Sequence, residues 1–164
     1  MSHGLPDPPP EPQVQTTLTG LAPRFKVAVE KLLVPDDDFD PIVSESGRTA
    51  DRQAWLYGFG RTWDDGRGIV THAATNLTEW HGFWLAVDII SKSRQWDAPP
   101  SFWQTLGAKA EALGLTWGGR WPGDEKDEPH VQAGPPMRQV PSPIATKLLL
   151  TGGLSAVWNA VGWA

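Results

Sequence analysis

One short segment, 85–90 (LAVDII), constrains this chain more than any other, because a single carboxylate, Asp88, interrupts an otherwise apolar run. Read as a strand, the segment sets Ala86, Asp88 and Ile90 on one face and Leu85, Val87 and Ile89 on the other. Read as a helix running on from His81, it would hold His81 and Asp88 about 10 Å apart along the axis, too far for both to reach one ion. A bend at His81 that feeds a strand removes that separation. An aspartate inside such a strand is costly unless it is paired, hydrogen-bonded or bound to a metal.

The surroundings suit one mixed domain. A chain of 164 residues is long enough for a single core. Leu21, Phe25, Ala28 and Leu32 recur at helical steps, so 21–33 is expected to be a helix, closed by Pro35 and an acidic turn at 36–40. Segment 41–47 (PIVSESG) reads as a strand into a turn, and 49–60 as a helix with Trp55, Leu56 and Phe59 on one side. A second strand is expected at 68–74 (GIVTHAA) and a third at 130–132 (HVQ). The clearest helix is 101–115, with Phe102, Leu106, Ala110 and Leu113 on one face and Gly114 to end it. Strands interleaved with helices at uneven spacing predict an α+β domain and not a regular βαβ array.

Three parts follow: a flexible Pro-rich leader at 1–20, a domain at 21–140, and a linker with an apolar C-terminal helix at 141–164. The leader has no apolar core or basic start, so synthesis in the cytoplasm without a secretory signal is expected. The uncharged stretch 148–164 sits at the lower length limit for crossing a bilayer. As a continuous helix it would align Thr151, Ser155 and Asn159 in one stripe and Gly152, Ala156 and Ala160 in another, a surface for membrane contact or self-association. Packing on the domain is the competing expectation.

Composition narrows the chemistry. A net charge of −5 with no basic run gives no reason to bind nucleic acid. The absence of Cys removes disulfides, thiolate metal sites and cysteine nucleophiles together. Any metal must rest on carboxylates and the four histidines, His3, His72, His81 and His130. No G-x-S-x-G marks a serine hydrolase, and no carboxylate pair is singled out for glycoside cleavage.

His81, Asp88 and His130 together would give a three-ligand zinc site with a fourth position open to water. Pro129 keeps Glu128 out of the helical region, so Asp127 and His130 lie on an extended approach, and on the strand His130 shares a face with Gln132. Asp127 is placed to take a proton from that water. The other reading keeps both histidines as hydrogen-bonded residues and pairs Asp88 with an arginine. Arg48 follows a strand-like stretch at a Gly turn, where a guanidinium can enter a cleft or close a surface ion pair.

In order along 20–135, the chain carries Arg48, Thr49, Arg52, Gln53, Leu56, Tyr57 and Gly60 to Thr62, then GIVTHA, WHGFWLAVDI, FW, GLTWGGRW and DEPHVQ. This series resembles the zinc-dependent D-alanyl-D-alanine carboxypeptidase and L-alanyl-D-glutamate endopeptidase family (peptidase M15), and most of all its small phage endolysin branch. The resemblance implies a small antiparallel sheet with flanking helices, the zinc DD-peptidase or hedgehog-like fold. It implies that His81, Asp88 and His130 bind Zn2+, that Asp127 is the general base, and that Arg48 contacts substrate or the oxyanion. The implied partner is the peptide stem of bacterial peptidoglycan and the implied place of action is the cell wall. Removal of a terminal D-alanine, or wall binding without turnover, are the alternatives. Two positions depart from the family pattern. Glu79 stands where Ser or Thr is common, which bears on recognition of a substrate carboxylate. Trp84 stands where Gly is usual, a ring expected to narrow the cleft or shift the strand. His72 matches no ligand position and is expected at the rim.

Overall fold

Pro23 opens the first helix, α1 (Pro23–Leu32), at a position where its missing N–H is no loss, and the helix buries Phe25, Ala28, Val29 and Leu32. The computed structural model describes residues 4–135 and 138–164. After the acidic turn come β1 (Pro41–Glu45) and α2 (Ala50–Gly58), where the Thr49 hydroxyl caps the helix by accepting from Arg52 N at 3.3 Å. Next are β2 (Ala86–Ser91), α3 (Pro100–Ala112), β3 (Thr116–Trp117) and β4 (His130–Gln132). The four strands form one antiparallel sheet in the order β1-β2-β4-β3. The α+β expectation therefore holds, with β2 in the interior of the sheet.

The core lies between the sheet and helices α1 and α3. Leu85, Val87 and Ile89 are fully buried with Phe25, Phe83 and Leu106. Trp55, Leu56 and Phe59 bury a separate small cluster under Trp63, as their shared helix face predicts. In the acidic turn, Asp40 does structural work. Its carboxylate accepts from the Ser91 hydroxyl at 2.7 Å and from Ser93 N at 2.8 Å. These bonds, Ser91 first, lower its pKa from 3.8 to about 2. The folded value lies below the unfolded one, so this stabilisation is complete above pH 3.8 and disappears as pH falls through about 2. Asp40→Asn should accordingly flatten the fall of melting temperature across that acid window; an unchanged acid limb would remove Asp40 from the account.

No strand forms at 68–74. The carbonyls there are satisfied by side chains in place of a ladder: Arg61 Nη1 donates to Thr71 O at 3.1 Å and Gln53 Nε2 to Ala73 O at 2.6 Å. Ile69 and Val70 stay exposed. The part of the leader from residue 4 to 20 has no helix or strand and runs along the domain. Trp55 Nε1 donates to Pro9 O at 2.8 Å, Arg52 meets Glu11 at 2.6 Å, and Ser46 N donates to Gln15 O at 2.7 Å.

The C-terminal helix α4 spans Pro143–Val161 but is broken at Gly153, whose φ of 72° and ψ of −174° belong to a region essentially open only to glycine. The two stripes expected of a continuous helix are interrupted there. Beyond the break the chain docks: Val157 is buried, Trp158 Nε1 donates to Phe83 O at 2.8 Å, and the Trp163 ring stands edge-on to Phe25 at 6.4 Å. Before it, Ile144 and Leu150 are exposed. By length and composition α4 is apolar enough to cross a membrane.

Candidate metal centre

A short 3-10 turn, Trp80–Phe83, carries His81 and ends on Trp84 in the left-handed region (φ 58°). Trp84 N and Leu85 N close the turn by donating to His81 O and Trp80 O. The chain leaves that turn directly into β2, which is the bend into a strand that the sequence requires. Asp88 pairs in register with His130 across β2 and β4, so the sheet itself sets the second and third side chains opposite each other. His81 Nε2 lies 3.3 Å and His130 Nδ1 3.5 Å from Asp88 Oδ1. The three ligand atoms fall within 4.8 Å of one another.

The hydrogen bonds behind the site fix which ring nitrogens face inward. His81 Nδ1 is 2.7 Å from Ser46 O, an acceptor only, so its proton sits on Nδ1 and the Nε2 lone pair points into the site. Gln132 Nε2 donates to Arg138 O at 3.0 Å, which turns Oε1 toward His130 Nε2 at 2.9 Å. His130 therefore offers the lone pair of Nδ1. Asp88 Oδ1 is buried and has no hydrogen-bond partner among the described residues. Two imidazole lone pairs and an orphaned carboxylate oxygen converging on one point repel each other unless a cation stands among them. Two nitrogens and one oxygen, each oriented by an outer partner, are a donor set that fits zinc with a position left open.

The electrostatics agree. Burial alone would raise the Asp88 carboxyl, yet His81 and His130 hold it well below the usual aspartate range. Burial opposes a charge on His130, and Asp88 overcomes it and pushes that pKa up.

Asp127 is half-exposed, with Oδ2 4.0 Å from His130 Nδ1. Its carboxyl is pushed up, first by desolvation in the cleft and then by Asp88. Its loop is pinned from beneath: Asp127 N donates to Gly118 O at 3.0 Å, and Trp117 Nε1 to Glu128 O at 2.7 Å. A Cβ on Gly118 would sit 2.4 Å from Asp127 O and 3.1 Å from His130 Cβ. Gly118→Ala should thus displace Asp127 and His130 together, costing about 1–3 kcal/mol and weakening metal affinity. Thermal melts and a zinc titration check this; a variant with unchanged affinity would show the loop to be slack.

Arg48 is buried and held inside the protein. Nη1 donates to Glu79 Oε2 at 2.5 Å and to Gln53 Oε1 at 3.0 Å, while Nη2 donates to Glu45 Oε2 at 2.8 Å and lies 3.7 Å from Asp88 Oδ2. It steadies the far oxygen of Asp88. A β-bulge between Val43 and Glu45 aims Glu45 at this cluster, where its other oxygen takes Arg52 Nε at 3.0 Å.

These groups line a cleft of about 610 Å³. His72 is exposed at its edge, as expected. Trp84 is not in the lining; its ring lies over Gly47 and Gly20, so it does not narrow the cleft. Trp121, which sequence reasoning passed over, packs its ring 5.0 Å from that of His130. Ser46 acts through a backbone carbonyl, which no residue type announces. Gln132 had a signal in its shared face with His130.

No model of a known protein family matches the sequence, and no curated protein matches it. Among solved structures, the chain is similar to the crystal structure of the L-Ala D-Glu endopeptidase ChiX of Serratia marcescens. The TM-score is 0.51 at 24% identity, over 71% of this chain and 82% of that one. The two share a fold.

Proposed function

We propose that this chain is a zinc-dependent peptidase that cuts the peptide stems of bacterial peptidoglycan as an L-alanyl-D-glutamate endopeptidase, in the manner of a phage endolysin acting on the cell wall. The observation that carries the reading is the convergence of His81 Nε2, Asp88 Oδ1 and His130 Nδ1 on one point, with the unshared Asp127 carboxylate beside it. A structural zinc site is closed and needs no such spare base. The fold shared with the L-Ala D-Glu endopeptidase of Serratia marcescens supports the choice of substrate.

His81, Asp88 and His130 would hold the ion, and zinc bound there would supply Lewis acidity toward the scissile carbonyl and toward water. Asp127 accepts a proton as the oxygen of water bonds to the carbonyl carbon, and the raised pKa of its carboxyl suits it to hold that proton. As the C–N bond breaks, Asp127 gives the proton to the departing amine. Arg48 keeps Asp88 oriented throughout. The test joins two measurements on one preparation: metal content, and mass spectrometry of digested muropeptides. Zinc near one per chain and products cut between L-alanine and D-glutamate are expected. Products lacking only a terminal D-alanine would reassign the bond, and intact muropeptides with bound zinc would leave a wall-binding module.

For the tail, the exposed Ile144 and Leu150 ahead of the Gly153 break support membrane contact or self-association. Sedimentation of wild type and Leu150→Ser, with and without liposomes, tests it; identical behaviour would discard it.

A further inference from the structure

Glu79 stands two residues before His81, lines the cleft, and keeps 27% of its side chain exposed there. Its Oε2 is taken by Arg48, while among the described residues Oε1 has only the Thr71 hydroxyl, at a long 3.3 Å. One edge of this carboxylate therefore remains open to whatever enters. The neighbouring cation is in the opposite condition. Both terminal nitrogens of Arg48 are engaged by Glu45, Gln53, Glu79 and Asp88, and its Nε is buried away from solvent. A substrate carboxylate on this wall would meet Glu79 and find no free guanidinium edge.

The rest of the lining points the same way. Carboxylates outnumber the cationic side chains Arg48, Arg52 and Lys126 by six to three, so the cleft stays net negative even with a divalent ion in place. An ammonium group is the ligand that gains from an open carboxylate edge, through a charge-assisted hydrogen bond, where an anion meets repulsion.

We propose that Glu79 makes this wall a subsite for a primary amine, so that the preferred substrate carries a free ammonium group near the scissile amide and no free carboxylate at that position. The inference rests on the peptidase reading and adds its substrate class. The ammonium has two sources in a peptide, the N-terminus and a diamino-acid side chain. Removal of a terminal residue, which calls for a grip on a free α-carboxylate, is disfavoured by the same geometry.

The test uses the zinc-loaded full chain and the tripeptide L-Ala-D-Glu-L-Lys in four forms: free, acetylated at the α-amine, acetylated at the lysine side chain, and acetylated at both. Calorimetric Kd and, in parallel, kcat/KM are measured for wild type, Glu79→Gln and Glu79→Ser. Glu79→Gln keeps an acceptor for Arg48, and a melting curve verifies the fold. Acetylation of one of the two amines should weaken wild-type binding at least tenfold, and the amine so identified is the one recognised. Both variants should shrink that contrast below threefold. Equal wild-type affinities for all four forms, no binding of any, or a contrast that survives in both variants would overturn the proposal. Absence of cleavage alongside an intact calorimetric contrast would overturn the peptidase reading and leave the amine subsite standing.

Discussion

His81→Ala should lose metal and turnover together, whereas Asp127→Ala should retain the metal and lose turnover alone. The difference follows from where the two side chains stand. His81 offers Nε2 3.3 Å from Asp88 Oδ1, with Nδ1 anchored on Ser46 O, so truncation leaves two ligands and an unfilled outer partner. Asp127 is half-exposed, its nearest oxygen 4.0 Å from His130 Nδ1, and its carboxylate is not among the three convergent ligand atoms. Removing a general base costs typically 10²–10⁴ in rate, so Asp127→Ala should fall by about that factor in kcat. Metal analysis by mass spectrometry and turnover on purified peptidoglycan decide the matter. An Asp127→Ala protein that cuts at the wild-type rate would show that the proton goes elsewhere, and a His81→Ala protein that keeps zinc would dissolve the three-ligand site.

The second large effect is expected at Glu45. Its two oxygens divide between Arg48 Nη2 at 2.8 Å and Arg52 Nε at 3.0 Å, and all three side chains are buried. Glutamine has one accepting oxygen, and its amide would point a donor at a guanidinium. Glu45→Gln therefore leaves a buried cation short of its partner, a change that costs about 3 kcal/mol and lowers the melting temperature by roughly 10 °C. The exposed pair Arg67 and Asp65, at 2.6 Å, is the control. Asp65→Asn should leave the melting temperature nearly unchanged. Equal effects in thermal melts would mean that the buried network is solvated after all. Because Arg48 also faces Asp88, Glu45→Gln should weaken zinc binding as well.

What the sequence made legible here were local rules with one dominant cause. Alternation along 85–90 and the need to bend at His81 account for the turn at that residue and the strand that carries Asp88, and Pro129 with the His130–Gln132 face gives the third member of the cluster and its outer partner. Helical spacing finds α1, α2 and α3 with their buried faces. Elements decided at long range were not legible. The register that sets Asp88 against His130 depends on pairing between strands far apart in the chain. Segment 68–74 has the residues of a strand, yet Arg61 and Gln53 meet its carbonyls instead. Gly152, Ala156 and Ala160 read as a small-residue stripe of one continuous helix, but the neighbouring Gly153 breaks that helix. Trp84 sits in a left-handed turn because Gly47 leaves room for its ring, a complementarity between residues on separate elements.

The geometry of the His81, Asp88 and His130 cluster also bears on how the chain endures. A chain without cysteine has no covalent cross-link available, and here the ion would take that part, stapling the 3-10 turn to two neighbouring strands and closing the long excursion between His81 and His130. Loading would then govern resistance to foreign proteases and catalytic competence in a single event, and a chelator would expose the polypeptide to degradation as it silenced it.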